Sequence, residues 1–161
     1  MTTVIIGVLV IAGFVAGWLV ARTGLGSRVN PATLADRERA FAERMRNVAL
    51  VGSFATEGAE PVPSAERYGI GSAEKVGDDL WRFTADLDCC GIHGRMPIVV
   101  PLRWAGDTPM ITMTDTTLPG LGTFTVRLFF HGDRYAGTWQ HGERRGQMQG
   151  RIEQQAAVAV A

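Results

Sequence analysis

The residues best suited to chemistry fall in two short stretches of the chain. "HGDRYAGTWQHGER", residues 131–144, contains His131 and His141, two of the three histidines, each opening a His-Gly-acid-Arg tetrapeptide. "CCGIHG", residues 89–94, contains Cys89 and Cys90, the only cysteines, with the third histidine, His93, close behind. A repeated histidine–acid pair is what a duplicated metal or acid–base centre would use. Thiols beside an imidazole could ligate a soft metal or form an activated nucleophile.

Spacing decides between chemistry and architecture. The two tetrapeptides bracket Arg134–Gln140, seven residues whose side chains alternate as a strand's do. At ~3.3 Å per residue the turns lie ~23 Å apart. Metal ligands must sit ~2.0–2.2 Å from one ion, and an acid–base pair must share one substrate. His131 and His141 are therefore expected to be punctuation in two turns. "CCGIHG" lacks the second cysteine pair and the C-x2–4-C spacing of structural zinc. It is expected to be a hairpin between strands at 80–88 and 96–104, with Cys89, Cys90 and His93 as weak metal or thiol candidates.

Other catalytic patterns are missing. Ser27, Ser53, Ser64 and Ser72 have no G-x-S-x-G context. No Walker or G-x-G-x-x-G pattern is present, and Asp107, Asp115 and Asp133 have no calcium-loop spacing. No catalytic residue and no cofactor is expected.

The elements that would position any site are mostly strands. Trp81, Phe83, Ala85 and Leu87 alternate with Arg82, Thr84 and Asp86, and the same period of two runs through 98–104, 111–114, 124–130, 135–140 and 148–153. Weaker runs at Val48–Phe54 and Tyr68–Val76 bring the strands to about eight. Between them stand "VGDD", "AGDTP", "LPGLG", "HGDR" and "HGERRG", linkers too short for parallel crossovers. "AEPVPSAER", residues 59–67, reads as the longest loop. The fold class expected is mainly β: an antiparallel up-and-down barrel, which hides one apolar face by closing on itself.

That closure turns Trp81, Phe83, Trp104, Phe124, Tyr135 and Trp139 inward as candidate ligand-binding residues. So many rings could equally fill the interior. Gly52, Gly137 and Gly150 on the same face would leave space. Arg82, Arg103, Arg127 and Arg151 belong to the outer face.

Ahead of the barrel, "NPATLADRERAFAERMRNV" reads as an amphipathic helix. Asn30 is a candidate N-cap and Pro31 suits the first turn. Leu34, Phe41, Met45 and Val48 form a stripe to pack on the domain, and Arg39 and Glu43 are spaced to pair. Further upstream, Val4–Ala21 is 18 residues without a charge. As a helix it would be ~27 Å long, close to the hydrocarbon thickness of a bilayer. A retained transmembrane anchor fits better than a cleaved signal peptide, because no basic residue precedes the run and no small-x-small site follows it. Arg22, Arg28, Arg37 and Arg39 follow the span, so the positive-inside rule puts the bulk of the chain on the cytoplasmic side of a bacterial inner membrane, with the periplasmic side as the alternative.

The 16 basic and 16 acidic residues balance, which argues against nucleic acid as a partner. Arginine dominates the basic set, and Lys75 is the only lysine.

"YAGTW" followed by "GQMQGRIE" resembles the closing strands of lipocalin-like (calycin-like) barrels, although no G-x-W stands near the first strand. The run from "DLWRFTADL" to "GQMQGRIE", residues 79–153, also resembles an uncharacterised bacterial family with an N-terminal membrane anchor. The resemblance implies location and a lipocalin-like barrel, not an activity. The organisation expected is an anchor over 1–22, a hinge and juxtamembrane helix over 23–47, the barrel over 48–155 and a tail over 156–161. The function expected is a membrane-anchored, non-enzymatic module. It would bind the bilayer through residues 4–21 and a small apolar ligand or a protein partner through the barrel, the alternative being a structural or assembly protein with a side-chain-filled barrel.

Overall fold

Period-two alternation from Val48 onward becomes eight antiparallel strands: β1 (Val48–Thr56), β2 (Ser64–Lys75), β3 (Leu80–Cys89), β4 (Ile92–Ala105), β5 (Thr108–Leu118), β6 (Gly122–His131), β7 (Arg134–His141) and β8 (Arg144–Gln154). Each pairs with the next and β8 returns to β1, so the sheet closes with no free edge. The computed structural model describes residues 29–59, 63–89, 92–118 and 120–155, with backbone pairing alone at 87–89 and 92–93. Among them no helix is long and apolar enough to cross a membrane. The apolar run at 4–21, the residues to 28 and the tail from 156 lie outside them.

The two tetrapeptides are turns. His131 pairs with Arg134 and His141 with Arg144, and Gly132 (φ 56°) and Gly142 (φ 59°) take the left-handed conformation at the first turn position. Two-residue hairpins need this conformation there to match the twist of their strands. The histidines sit at opposite ends of β7, hence at opposite ends of the barrel.

β2 starts at Ser64, four residues before the alternation suggested, so Glu66 is a strand residue. The loop expected over 59–67 shrinks accordingly. Outward side chains pair across neighbouring strands: Glu74 with Arg82 at 2.5 Å, and Asp86 with Arg95 at 2.8 and 3.0 Å. Arg103 and Arg151 are outward and exposed as expected, while Arg82 is largely covered beside Glu74.

The helix differs from expectation. Asn30 caps only a 3-10 turn, Pro31–Thr33, and α1 spans Asp36–Arg44. Between them Leu34 and Ala35 are extended. The Arg39 guanidinium donates to the Leu34 carbonyl at 2.9 Å, and the Glu38 carboxylate accepts from the Ala35 N–H at 3.2 Å. Those bonds move the helix start to the acidic Asp36–Glu38 turn, which favours the positive end of the helix dipole. Arg39 consequently pairs with Asp36, and Glu43 with Arg46, rather than with each other.

α1 closes one end of the barrel. Lys75 Nζ lies 2.7 Å from Glu38 Oε1, with side chains only 18% and 12% exposed. Arg37 donates to the Gly106 carbonyl at 3.1 Å and covers the Trp104 ring at 4.9 Å. Asn47 (φ 51°) turns the chain from α1 into β1, its N–H bonded to the Gly71 carbonyl and its carbonyl accepting from Gln155. Asparagine tolerates this left-handed conformation better than most residues. Of the apolar stripe expected to pack on the domain, Phe41, Met45 and Val48 are buried, whereas Leu34 stands in the extended link ahead of α1 and is only partly buried.

Candidate functional site

The interior divides into three zones. In the half beneath α1, Phe41 (1% exposed) enters the barrel among four rings. Its centroid lies 5.4 Å from Trp81, 5.6 Å from Phe130, 6.1 Å from Trp104 and 6.3 Å from Phe83. Edge-on and tilted contacts at these distances are favourable for aromatic quadrupoles. Three of the six candidate ligand-binding residues, Trp81, Phe83 and Trp104, thus surround a side chain of the protein itself.

The middle zone is polar. Glu66, Gly52, Gly150 and Tyr135 occupy consecutive positions in one row across β2, β1, β8 and β7. Glu66 shares its inward face with Tyr68 and Ile70 through the alternation of β2, and it is 8% exposed. The Tyr135 hydroxyl crosses both glycines and donates to Glu66 Oε1 at 2.8 Å. A Cβ at Gly52 or at Gly150 would stand 2.6 Å from that hydroxyl. The space expected from these glycines is therefore taken by Tyr135 and is not left for a ligand.

Burial pushes the Glu66 carboxyl above the usual carboxylate range, and the hydroxyls of Tyr135 and Tyr68 pull it partly back. Burial, then the bond to Glu66, drives Tyr135 far above the ordinary phenol value, so it remains a donor. Glu66 Oε2 is buried with no hydrogen-bond partner among the described residues.

The half away from α1 holds the remaining candidates. Trp139 meets Phe54 edge-on at 5.9 Å, and Phe124 stacks on His141 at 4.4 Å. Met148, partly buried, joins this zone, and Leu121 from the loop before β6 packs into the core. The buried Trp139 Nε1 donor also has no partner among the described residues. The six candidates are therefore not one site: three ring Phe41, Tyr135 serves Glu66, and Phe124 and Trp139 line the far half.

Cys89 and His93 sit at the end of the β3–β4 hairpin, where Cys89 pairs with Ile92 and Asp88 with His93; Cys90 lies outside the described residues. Among the described residues, no three His, Cys, Asp or Glu side chains are grouped to hold a metal. An open groove of about 300 Å³ crosses the outer wall of β1, β8 and β7, lined by Ser53, Ala55, Ala136, Thr138, Gln147 and Gln149 with no charged group among its lining residues.

In comparisons with known proteins, no family model, no curated protein and no solved structure matches the chain. The fold stands on its own geometry. It is a closed, eight-stranded antiparallel barrel, compatible with a lipocalin-like fold.

Sequence inspection had missed Glu66 and the depth of Phe41. The signal for Glu66 was an acid sharing a period-two face with Tyr68 and Ile70, a position where a carboxylate is costly. Its raised pKa has a measurable consequence. The folded state holds the proton more tightly than the unfolded state, so stability is expected to fall as pH rises from about 4.5 through the folded-state value. Glu66→Gln keeps an acceptor for Tyr135 and removes the buried charge. Urea midpoints should be higher than wild type at pH 7 and similar below pH ~4, where both states of the wild-type carboxyl are protonated.

Proposed function

We propose that this protein is a membrane-tethered binding module whose barrel takes a small, largely apolar ligand in the half away from α1. The observation that carries the reading is a pair of buried atoms without a partner among the described residues: Trp139 Nε1 in that half, beside Phe54, and Glu66 Oε2 in the middle zone that borders it. Native interiors rarely leave such groups unsatisfied, and ligand-binding sites characteristically combine an apolar wall with a few convergent polar atoms. Phe41 occupies the other half, which restricts the ligand to one end. The same packing favours a second reading, a structural or assembly protein with a filled barrel.

The tether is part of the proposal. The apolar run at 4–21 supports a single span in a bacterial inner membrane, and the arginines that follow it support a cytoplasmic barrel. The resemblance of residues 79–153 to an anchored bacterial family supports the same arrangement.

The four tryptophan indoles of the full chain in detergent give separate NMR signals that test the binding reading. Extraction with organic solvent, followed by return to the same detergent, should move the Trp139 Nε1–H signal and leave those of Trp81 and Trp104 in place. Identical spectra before and after extraction would favour the filled barrel.

A further inference from the structure

Given that binding reading, we propose that Glu66 makes the site selective for organic ammonium ions: an amine head with a short apolar body, its N–H donors on Glu66 Oε2. The geometry has three parts. Tyr135 already donates to Oε1 at 2.8 Å, so the carboxylate is held in one orientation with its second oxygen uncommitted. Two glycines, Gly52 and Gly150, occupy the row between these side chains and give Tyr135 its path, so the arrangement is built into the strand register.

The third part is charge. Among the described residues, no arginine or lysine pairs with Glu66. Arg82, Arg95, Arg145 and Arg151 of the barrel wall pair with Glu74, Asp86, Glu57 and Glu153. The titratable groups that face Glu66 are the two phenols, Tyr135 from β7 and Tyr68 from its own strand. A buried carboxylate without a counter-ion is expensive, and a bound cation is the partner that relieves most of the cost. A charge-assisted N–H to carboxylate bond is roughly twice as strong as a neutral one, which is the basis for discrimination. The apolar body would extend toward Phe54 and Trp139, whose ring face also favours a cation over a neutral head.

The probes are n-butylammonium and n-butanol, equal in apolar length and different in the head. Each is titrated into full-length, side-chain carboxyl-labelled protein in detergent, reading the Glu66 carboxyl carbon and the Trp139 indole. The expected result is saturable shifts with n-butylammonium binding at least tenfold tighter than n-butanol, about 1.4 kcal/mol. In Glu66→Gln that preference should disappear while the backbone spectrum stays folded. Tyr135→Phe should retain it, since the carboxylate remains.

Equal affinity for the two probes would overturn the ammonium inference and leave the binding module standing. Ammonium binding unchanged in Glu66→Gln would also overturn it. Silence from both probes, as expected if ordered water alone occupies Oε2, would overturn it too. Silence together with an extraction-insensitive Trp139 signal would remove the binding reading as well.

Discussion

Phe41→Ala is expected to destabilise the protein by about 3–5 kcal/mol, the range for deleting a fully buried phenylalanine ring. The ring contacts Trp81, Phe83, Trp104 and Phe130 at once, and the surrounding β-strands cannot collapse into the space because the barrel is hydrogen-bonded all the way round. Part of the loss is the docking of α1 itself. A nine-residue helix has little stability of its own, so its order depends on that anchor. Chemical denaturation should show a lower midpoint, and hydrogen exchange should show the amides of α1 losing protection before those of β3 and β6. A variant with wild-type midpoint and a protected helix would mean that Phe41 does not plug the barrel.

Gly52→Ala is expected to cost a similar amount, for a different reason. The new Cβ would stand 2.0 Å from the Gln149 carbonyl and 2.6 Å from the Tyr135 hydroxyl. Overpacking of this kind costs ~1–3 kcal/mol, and pushing Tyr135 off Glu66 leaves buried polar groups unpaired for another ~1–3 kcal/mol. The two contributions separate experimentally. In a Tyr135→Phe background the hydroxyl clash is gone while the backbone clash remains, so Gly52→Ala should cost measurably less there but not become neutral. Full additivity of the two substitutions in urea unfolding would show that Tyr135 does not cross this glycine.

The architecture was legible because a half-buried strand writes its burial into the sequence at period two. From Trp81 to Ile152 nearly every second residue is apolar, and the breaks carry Gly, Pro or Asp. Phe41 and Met45 were legible as a stripe at helical spacing, whereas Leu34 and Val48, read into the same stripe, lie in the extended link and at the start of β1. Neither pattern says how far a side chain reaches, so the entry of Phe41 into the ring of aromatics was not visible.

The site was less legible, and the cause is register. Gly52, Gly150 and Tyr135 are each recognisable as inward residues, yet the row that unites them exists only once β8 pairs with β1. That pairing joins segments nearly a hundred residues apart. Glycines on an inner face read locally as vacant space, whereas here they are the path of a tyrosine. Glu66 was obscured because its segment begins with the polar "SAER", so the alternation emerges only at Tyr68. The helix start was misplaced because Asn30 and Pro31 have good cap chemistry, but the acidic turn at Asp36 and the Arg39–Leu34 bond outcompete them.

The most direct test of a half-filled barrel with a working far half is native mass spectrometry of the full chain, extracted in detergent from expressing cells. The account predicts a species carrying one small organic molecule, lost on collisional activation and much reduced in Glu66→Gln, while any lipid carried by the N-terminal segment is unaffected by that substitution. Wild-type protein arriving only at its bare mass, or a bound molecule retained equally by Glu66→Gln, would contradict it.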